Sequence, residues 1–282
     1  MEKRTQAIFF LLATAILWST GGFLIKMVHG HPMAITGVRS SVAAIFLYLV
    51  CRPKKWHWSV PQIGGAVMYA VLVVLFITAN KLTTAANAIL IQYSAPIYIA
   101  LFSRWFLGEK ITWLDWLIIF IVISGLLLFF LDELTVDGFW GNICAVLSGV
   151  CLAWLFMFMR KQKNASPVES VILGNFLAAI IGLPFIALGG PTAGDYLILV
   201  FMGIFQLALP YWLFSLAIKH VTALESVLIP IVEPILNPVW VLFITGEVPG
   251  PWAVVGGIVV LSAVTSRSLI ANLIKEKRVL AA

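Results

Sequence analysis

Ten apolar runs follow one another along this chain and constrain its fold more than any other feature. They cover residues 6–28, 33–51, 60–80, 86–107, 112–131, 138–159, 168–188, 195–218, 223–245 and 250–270. A helix of about 20 apolar residues crosses the hydrocarbon core of a bilayer, which is roughly 30 Å thick. The loops between the runs are short and leave no room for a separate soluble domain. The pattern therefore predicts an all-α integral membrane protein with ten transmembrane helices.

The composition agrees with this prediction. The chain is 62% hydrophobic and only 11% charged, whereas about a quarter of the residues of a soluble domain are charged. Too few charges are present to cover a surface that faces water, so the outer surface must face lipid. The first run is longer than the apolar region of a signal peptide and nine more runs follow, so we expect it to be a helix of the protein.

The basic residues alternate in density from one loop to the next. If the N-terminus is cytoplasmic, 15 of the 18 Lys and Arg residues lie on the cytoplasmic side. The other side holds Lys26, Arg39 and Lys81, together with most of the loop acids. This is the positive-inside distribution, which predicts cytoplasmic termini. The net charge of +6 thus reflects topology, and we expect no nucleic-acid partner, because such a surface gathers its charges into one patch.

An internal repeat joins the two halves of the chain. The segments around residues 80–113 and 217–251 align without a gap at an offset of 138 residues, so that Lys81 matches Lys219 and Pro96 matches Pro234. Gly108-Glu109 likewise matches Gly246-Glu247, and at an offset of 136 Trp18 matches Trp154. We therefore expect two five-helix repeats, 1–134 and 135–282.

Five spans in each half have a consequence for topology. Because five is odd, the second half must enter the membrane upside down relative to the first. Inverted repeats are the architecture of many secondary transporters, in which the substrate binds near the membrane midplane between the halves. The sequence thus favours a transporter.

These motifs resemble the drug/metabolite transporter superfamily, and specifically its ten-helix EamA group. The resemblance covers essentially the whole chain; residues 203–247 and the proline that precedes Gly-Glu by twelve residues in each half carry it most clearly. It implies two five-helix halves, cytoplasmic termini, a bacterial-type cytoplasmic (inner) membrane and a cavity lined by helices 1, 3, 4, 6, 8 and 9. It does not specify a substrate, because the group includes amino-acid exporters, metabolite exporters and some importers.

Glu233 lies near the centre of the ninth run, in the segment IPIVEPILNPVW. A carboxylate at that depth costs about 3 kcal/mol on translocon scales, and such residues usually face a cavity and mark a transport pathway. Glu233 either couples transport to protons, binds an amine of the substrate, or ties the ninth helix to a neighbour. Asn237, four residues later, shares a helix face with Glu233 and is a second candidate for the substrate site.

Aromatic and amide side chains inside other runs extend the candidate site. Trp18 lies too deep for the interfacial belt, and indole rings near a midplane site can stack an aromatic group or face a cation. Plain helix packing explains each of these residues equally well. The further candidates for substrate binding are Tyr93, Trp154, Gln206 and Tyr211, with Gln92 as a weaker one.

Three further residues are candidates for coupling or gating alongside Glu233. Arg39 lies inside the second run on its outer side, where it can act in gating, stabilise the structure, or extend its charge to the interface. Pro96 and Pro234 each lack a backbone N–H, and such breaks in a membrane helix are tolerated where they pack against protein or line a cavity.

Other classes of function find little support in the sequence. Cys51, Cys144 and Cys151 form no disulfide framework, and no metal-binding pattern accompanies them. The four histidines lie at the ends of runs, and the chain contains no zinc-protease motif and no phosphate-binding loop. We expect no enzymatic activity, no cofactor and no metal. We expect the protein to act as a monomer whose partners are a small-molecule substrate and the lipid bilayer, with protons as a further partner if Glu233 couples transport to them.

Two hypotheses of function remain. The first is a secondary transporter that exports a small, amino-acid-like metabolite by alternating access, because Arg39 and Glu233 together suit a zwitterion. The second is an importer of an organic cation such as a quaternary amine, held in an aromatic cage of Trp18, Tyr93 and Trp154 with Glu233 as counter-charge.

Overall fold

The structure is a computed structural model that describes residues 3–53, 56, 58–131, 137–236 and 250–280. These residues form helices joined by short loops. The helices are α1 (Lys3–Trp18), α2 (Gly21–Met27), α3 (Pro32–Cys51), α4 (Val60–Leu82), α5 (Ala85–Gln92), α6 (Ala95–Leu107), α7 (Trp113–Phe129), α8 (Phe139–Lys161), α9 (Pro167–Gly182), α10 (Asp195–Phe201), α11 (Leu209–Ala217), α12 (Ala223–Leu228) and α13 (Pro251–Leu280). Two 3₁₀ segments, Leu183–Leu188 and Ile229–Val232, extend α9 and α12, and a π-helix, Met202–Ala208, joins α10 to α11.

Six continuous helical segments within this part of the chain are long and apolar enough to cross a membrane. They are Pro32–Cys51, Val60–Leu82, Ala85–Leu107, Phe139–Lys161, Pro167–Leu188 and Asp195–Ala217. Shorter apolar helices occupy Trp113–Phe129 and Pro251–Arg267. The first predicted span is interrupted by a turn at Ser19-Thr20, and part of the ninth lies outside the described residues. The protein is therefore a multi-pass membrane protein, while the full set of ten spans stays a prediction.

The internal repeat is visible in the local structure of the two halves. Thr84 begins α5 by accepting a hydrogen bond from the backbone N–H of Asn87, and Thr222, 138 residues later, begins α12 by accepting one from Glu225. Both helices are short and give way within eight residues to a segment that contains a repeat-matched proline, Pro96 or Pro234. A proline cannot donate the hydrogen bond that would continue the preceding turn, so both halves carry a broken helix at the same place.

The helices also pack as two related sets. The contact between α4 and α8 corresponds to the contact between α11 and α1. The contact between α4 and α9 corresponds to the contact between the π-helix and α3. Two further contacts, α3 with α9 and α7 with α13, join each helix to its own counterpart. These pairs are the ones that a two-fold rotation exchanging the halves would preserve.

Contacts at the helix ends fix the direction of each element. Gln162 at the end of α8 donates to the carbonyl of Pro61 at the start of α4 (3.1 Å), and Arg160 donates to the carbonyl of Ile218 just after α11 (2.9 Å). At the opposite end of the molecule, the backbone N–H of His29 donates to Asp195 at the start of α10 (3.2 Å). Thus α4 and its counterpart α10–α11 run in opposite directions between the two ends.

We call these two ends the Arg160 end and the Asp195 end. Most of the described basic residues lie at the Arg160 end, whereas Lys26 and Lys81 lie at the Asp195 end: the former set is Arg4, Arg52, Arg104, Lys110, Arg160, Lys161, Lys163, Lys219 and Arg267. The charge asymmetry of the sequence thus corresponds to a physical asymmetry of the bundle. By the positive-inside rule it predicts that the Arg160 end faces the cytoplasm.

Candidate functional site

A cavity lies in the middle of the molecule, where elements of both halves meet. Its empty space, including the part that is open to solvent, is about 580 Å³. Fifteen side chains line it: Trp18, Arg39, Leu72, Val73, Phe76, Gln92, Tyr93, Leu152, Phe156, Gln206, Leu207, Tyr211, Val227, Pro230 and Glu233. The wall is thus mostly apolar and aromatic, with one cation, one carboxylate and two amides.

Arg39 supplies the cationic group of the cavity. Its side chain is 1% exposed, and its Nη1 donates a hydrogen bond of 2.6 Å to Oε1 of Gln206. Its Nε is buried and has no hydrogen-bond partner within the described part of the protein. No acidic side chain among those residues forms an ion pair with it, so the guanidinium faces the cavity with only a neutral amide as its partner.

The backbone of the second half brings Gln206 to this position. Gln206 lies in the π-helix Met202–Ala208, four residues before Pro210, which lacks the N–H that an α-helix would direct at the Gln206 carbonyl. π-Helical turns of this kind often occur at functional sites. On the other side, a Cβ atom at Gly21 would collide with Nε2 of Gln206. The amide in its present position thus packs directly against the backbone of Gly21.

Glu233 supplies the carboxylate, and it is joined to the first half through Tyr93. The Tyr93 hydroxyl lies 2.7 Å from Oε2 of Glu233 and 3.2 Å from the carbonyl oxygen of Pro230. That carbonyl has no α-helical donor, because residue 234 is a proline, although the N–H of Glu233 reaches it. Tyr93 thus links the broken helix of one half to the broken helix of the other.

The two charges share the cavity but do not pair with each other. Arg39, Tyr211 and Glu233 all line it, and no ion pair between Arg39 and Glu233 occurs among the described residues. Two opposite charges on separate walls remain available to a ligand that carries both signs.

The aromatic wall has a defined arrangement. The Trp18 ring is nearly parallel to that of Phe156, at an interplanar angle of 7° and a centroid distance of 6.5 Å, and lies edge-on to Tyr211 at 5.0 Å. Tyr211 also meets Tyr69 edge-on at 4.8 Å. Such edge-to-face pairs are favourable because of the ring quadrupole, and they hold Trp18 and Tyr211 at the cavity wall.

The structure brings most of the sequence-predicted site residues together. Trp18, Tyr93, Gln206, Tyr211, Glu233 and Arg39 all line the cavity, as does Gln92, whose Nε2 donates to Ser148 (2.5 Å). Pro96 and Pro234 are buried next to the site without lining it. Asn237 lies outside the described residues. The lining residues come from the six predicted spans that the resemblance implied, the first, third, fourth, sixth, eighth and ninth. Arg39 adds the second predicted span, which is α3.

Trp154 does not line the cavity. It lies in a separate aromatic cluster, 5.5 Å from Phe102, 5.4 Å from Phe106 and 5.8 Å from Phe158 between ring centroids. The reason is helical periodicity: Leu152 and Phe156 are four residues apart and face the cavity, so Trp154, two residues from each, points away. The prediction that Trp154 takes part in a substrate cage therefore does not fit the structure.

Several functional positions gave no usable signal in the sequence. Phe76 and Phe156 line the cavity, but phenylalanine is too common in apolar runs to be singled out there. A buried pair outside the cavity, Tyr69 and Asn175, is joined by a hydrogen bond of 3.2 Å from the Tyr69 hydroxyl.

No group of three or more His, Cys, Asp or Glu residues that could hold a metal ion occurs within the described ranges.

Ion pairs close the Arg160 end below the cavity. Arg4 pairs with Glu225 at 2.7 Å, Arg160 with Glu109 at 2.7 Å, and Arg267 with Asp115 at 2.6 Å. Each pair joins a residue of one half to a residue of the other. Glu109, which the repeat singled out, also accepts a hydrogen bond from the backbone N–H of Ala223 (2.9 Å).

Comparison with known proteins identifies the family. The profile of the EamA-like transporter family matches this chain twice, over residues 5–131 and 139–267. The chain belongs to the EamA-like transporter family. The two matches, one in each half, agree with the repeat seen in the contacts of this EamA protein.

Curated relatives described as transporters are similar to this chain over most of its length. An uncharacterized transporter of Archaeoglobus fulgidus is 25% identical over 257 residues, which are 90% of this chain and 93% of the relative. An uncharacterized transporter of Clostridium kluyveri is 24% identical and covers 84% of this chain and 85% of its own length. A solved crystal structure shares the fold of the EamA chain, with a TM-score of 0.79, 18% identity and coverage of 96% of this chain and 99% of the other.

Proposed function

We propose that this EamA protein is a secondary transporter that exports a small, amino-acid-like metabolite across the inner membrane of a bacterial-type cell. The observation that carries the proposal is the central cavity, which presents Arg39 and Glu233 on separate walls between aromatic side chains. A zwitterion of amino-acid size supplies a counter-charge to both groups at once, which offsets the cost of burying a charge that has only neutral partners.

The mechanism that suits this architecture is alternating access. The counterpart elements α4 and α10–α11 run in opposite directions, as they do in inverted-repeat transporters, where rocking of the halves exposes a fixed site to each side in turn. In the described conformation, the ion pairs of the Arg160 end join the two halves. Opening towards that side requires these pairs to separate.

The cavity also offers a carboxylate that can couple transport to protons. Glu233 can carry a proton in one step of the cycle and a substrate amine in another. Tyr93 has an acceptor for each state, because its hydroxyl reaches both the carboxylate and the carbonyl of Pro230. Exchange of a proton for the substrate at Glu233 would drive export against a substrate gradient.

A second candidate function is the import of an organic cation. Trp18, Tyr93 and Tyr211 present aromatic surface beside Glu233, and such surfaces bind quaternary ammonium groups. Arg39 argues against this function, because it places a buried positive charge in the same cavity. The cation would have to bind without a counter-charge for the guanidinium.

Counterflow in proteoliposomes distinguishes the two. Vesicles containing the purified protein are loaded with one unlabelled amino acid or with choline, and uptake of the same labelled compound is measured. We expect accumulation with at least one neutral amino acid and none with choline. Accumulation with choline alone supports the cation importer, and a lack of exchange with every compound contradicts both functions.

Direction is measured separately in sealed vesicles of known orientation. A pH gradient, acidic on the side that corresponds to the outside of the cell, should drive the substrate towards that side. Movement of the substrate in the opposite direction under the same gradient would identify an importer.

A further inference from the structure

Arg39 is a buried cation whose hydrogen-bonding capacity is largely unused. A guanidinium carries five N–H donors, and Arg39 is 1% exposed with one side-chain bond, to the Gln206 amide. Its buried Nε finds no acceptor in the described part of the chain. A buried charge is costly unless it is paired with an opposite charge, so a carboxylate of a ligand would bind favourably at this position.

The equivalent position in the other half needs no charge. Asn175 follows Arg39 by 136 residues, and Gln206 follows Tyr69 by 137, so the Arg39–Gln206 contact and the Tyr69–Asn175 contact are counterparts under the repeat. The second contact is neutral, with the Tyr69 hydroxyl donating to Oδ1 of Asn175 at 3.2 Å. The fold therefore forms the equivalent contact between these helices without an arginine, so helix packing does not explain why residue 39 is charged.

From this geometry we propose that Arg39 binds the carboxylate of the transported substrate and that Gln206 is a positioning residue for its guanidinium. The proposal rests on the function proposed above and specifies its chemistry. Guanidinium and carboxylate form strong paired hydrogen bonds. Gln206 orients Arg39 as a neutral acceptor and leaves its charge free, which a glutamate at the same place would not do.

The other wall restricts the ligand to a monoanion. Glu233 lines the same cavity as Arg39. A phosphate ester would bring a second negative charge towards Glu233, whereas an ammonium group would pair with it. The substrate class that fits is a zwitterionic amino acid whose carboxylate meets Arg39, with Glu233 in the same cavity to balance its positive charge.

Two variants test the role of Arg39 without knowledge of the substrate. In detergent, Arg39→Met should raise the melting temperature of the purified protein, because it removes a buried charge without a counter-ion. Gln206→Glu should raise it as well, because it places a carboxylate within 2.6 Å of Nη1. A structural role for Arg39 requires the opposite result for Arg39→Met, and a lowered melting temperature in both variants would overturn the proposal.

Binding is then measured with matched probes. We test whether each of the 20 amino acids raises the melting temperature of the wild-type protein. The amine formed by removing the carboxylate is tested in the same way wherever it is available. We expect stabilisation by some amino acids, none by the corresponding amines, and its loss in Arg39→Met and Gln206→Glu. The control is Asn175→Asp, the equivalent change at the neutral counterpart, which should retain the response to amino acids.

The outcomes separate this proposal from the function on which it rests. Stabilisation by the amines as well as by the amino acids, or an unchanged response in Gln206→Glu, overturns the role of Arg39 while transport of amino acids stands. If no amino acid stabilises the wild-type protein, the carboxylate assignment is wrong. Counterflow with choline alone overturns the proposed function itself.

Discussion

Single side chains decide what the cavity can bind, because its charges and hydroxyl groups differ in how fully they are satisfied. Tyr93 reaches two acceptors, a carboxylate oxygen at 2.7 Å and a carbonyl at 3.2 Å, with one proton to donate. When Glu233 is ionised, Tyr93 donates to it. When Glu233 is protonated, the hydroxyl of Tyr93 is free to donate to the Pro230 carbonyl instead. The protonation of one residue is therefore connected to the contact between the two halves.

Removal of the Glu233 charge should separate transport from proton coupling. In Glu233→Gln we expect substrate flux to lose its dependence on a pH gradient while the protein remains folded, because glutamine is similar in size and cannot titrate. Flux in proteoliposomes with and without the gradient measures this. Tyr93→Phe is the matched control, since it removes the hydroxyl and leaves the carboxylate. Unchanged proton coupling in Glu233→Gln would exclude the coupling role.

The two repeat-matched tryptophans should behave differently. Trp18→Ala should weaken substrate binding about fivefold or more, because an aromatic contact and its buried area are worth about 1 kcal/mol or more. Trp154→Ala should leave affinity within about twofold and lower stability by about 2 kcal/mol or more, because it empties an aromatic cluster away from the cavity. Ligand-dependent and ligand-free melting curves report both quantities. An equal loss of affinity in the two variants would contradict the placement of Trp154.

Helices cross closely where small residues meet, and these crossings define the shape of the bundle. A Cβ atom at Gly37 of α3 would lie 2.5 Å from the backbone carbon of Gly182 in α9, so the two backbones are in direct contact. Close approach of this kind is typical of membrane helices, in which packing replaces the hydrophobic effect. Breaks serve the opposite purpose: Pro210 and Pro234 interrupt the ladder of hydrogen bonds and release polar groups next to the cavity.

The α3–α9 crossing should therefore be sensitive to a single methyl group. Gly37→Ala is expected to destabilise the protein by about 1–3 kcal/mol, because the backbones must move apart to accept the added atom. Gly194→Ala is the control, since nothing lies within 4 Å of a Cβ atom at that position. Thermal or denaturant unfolding in detergent compares the two, and equal stability of both variants would contradict the close contact.

Considered as a whole, the molecule is symmetric in its backbone contacts and asymmetric in its charges. Lys81 donates to the carbonyl of Val28 (2.6 Å), and Lys219, its repeat partner, donates to that of Ala165 (3.1 Å) at the opposite end. The repeat matches Arg4 with Asn142 and Glu225 with Asn87, each at an offset of 138 residues. The Arg4–Glu225 ion pair therefore corresponds to a neutral hydrogen bond of 3.2 Å between Asn87 and Asn142. Charged contacts join the halves at the Arg160 end, and at this equivalent position of the Asp195 end the contact is neutral.

This asymmetry predicts how the conformational equilibrium responds to charge removal. In Arg160→Gln, the loss of the pair with Glu109 and of the bonds to the carbonyls of Ile218 and Lys219 should favour opening at the Arg160 end. We expect a cysteine placed at Val227, in the cavity, to react several-fold faster with an impermeant thiol reagent from that side. The native cysteines are replaced beforehand.

Lys163→Gln provides the control for this experiment, because Lys163 is exposed at the same end and carries the same charge. Its labelling rate should equal that of the parent protein. An equal acceleration in both variants would attribute the effect to net charge, and no acceleration in Arg160→Gln would contradict the role of the ion pair in closing this end.

The sequence by itself determined the membrane class, the duplication, the family resemblance and the position of Glu233 within a span. Hydropathy, the distribution of charge and the repeated proline and Gly-Glu motif can be read directly from the order of the residues, without knowledge of the tertiary structure. Sequence alone also proposed Trp18, Tyr93, Gln206 and Tyr211, which the structure brings to one cavity. It did not distinguish Trp18 from Trp154, nor identify Phe156.

Only the tertiary structure decided which face of each helix is turned towards the cavity. In a soluble protein the alternation of polar and apolar residues shows that direction. In a membrane the lipid and the protein interior are both apolar, so hydropathy carries little information about the rotation of a helix about its axis. Trp154 therefore faces an aromatic cluster, and Arg39 lies with Gln206 at the cavity wall, because the packing of neighbouring helices fixes those rotations.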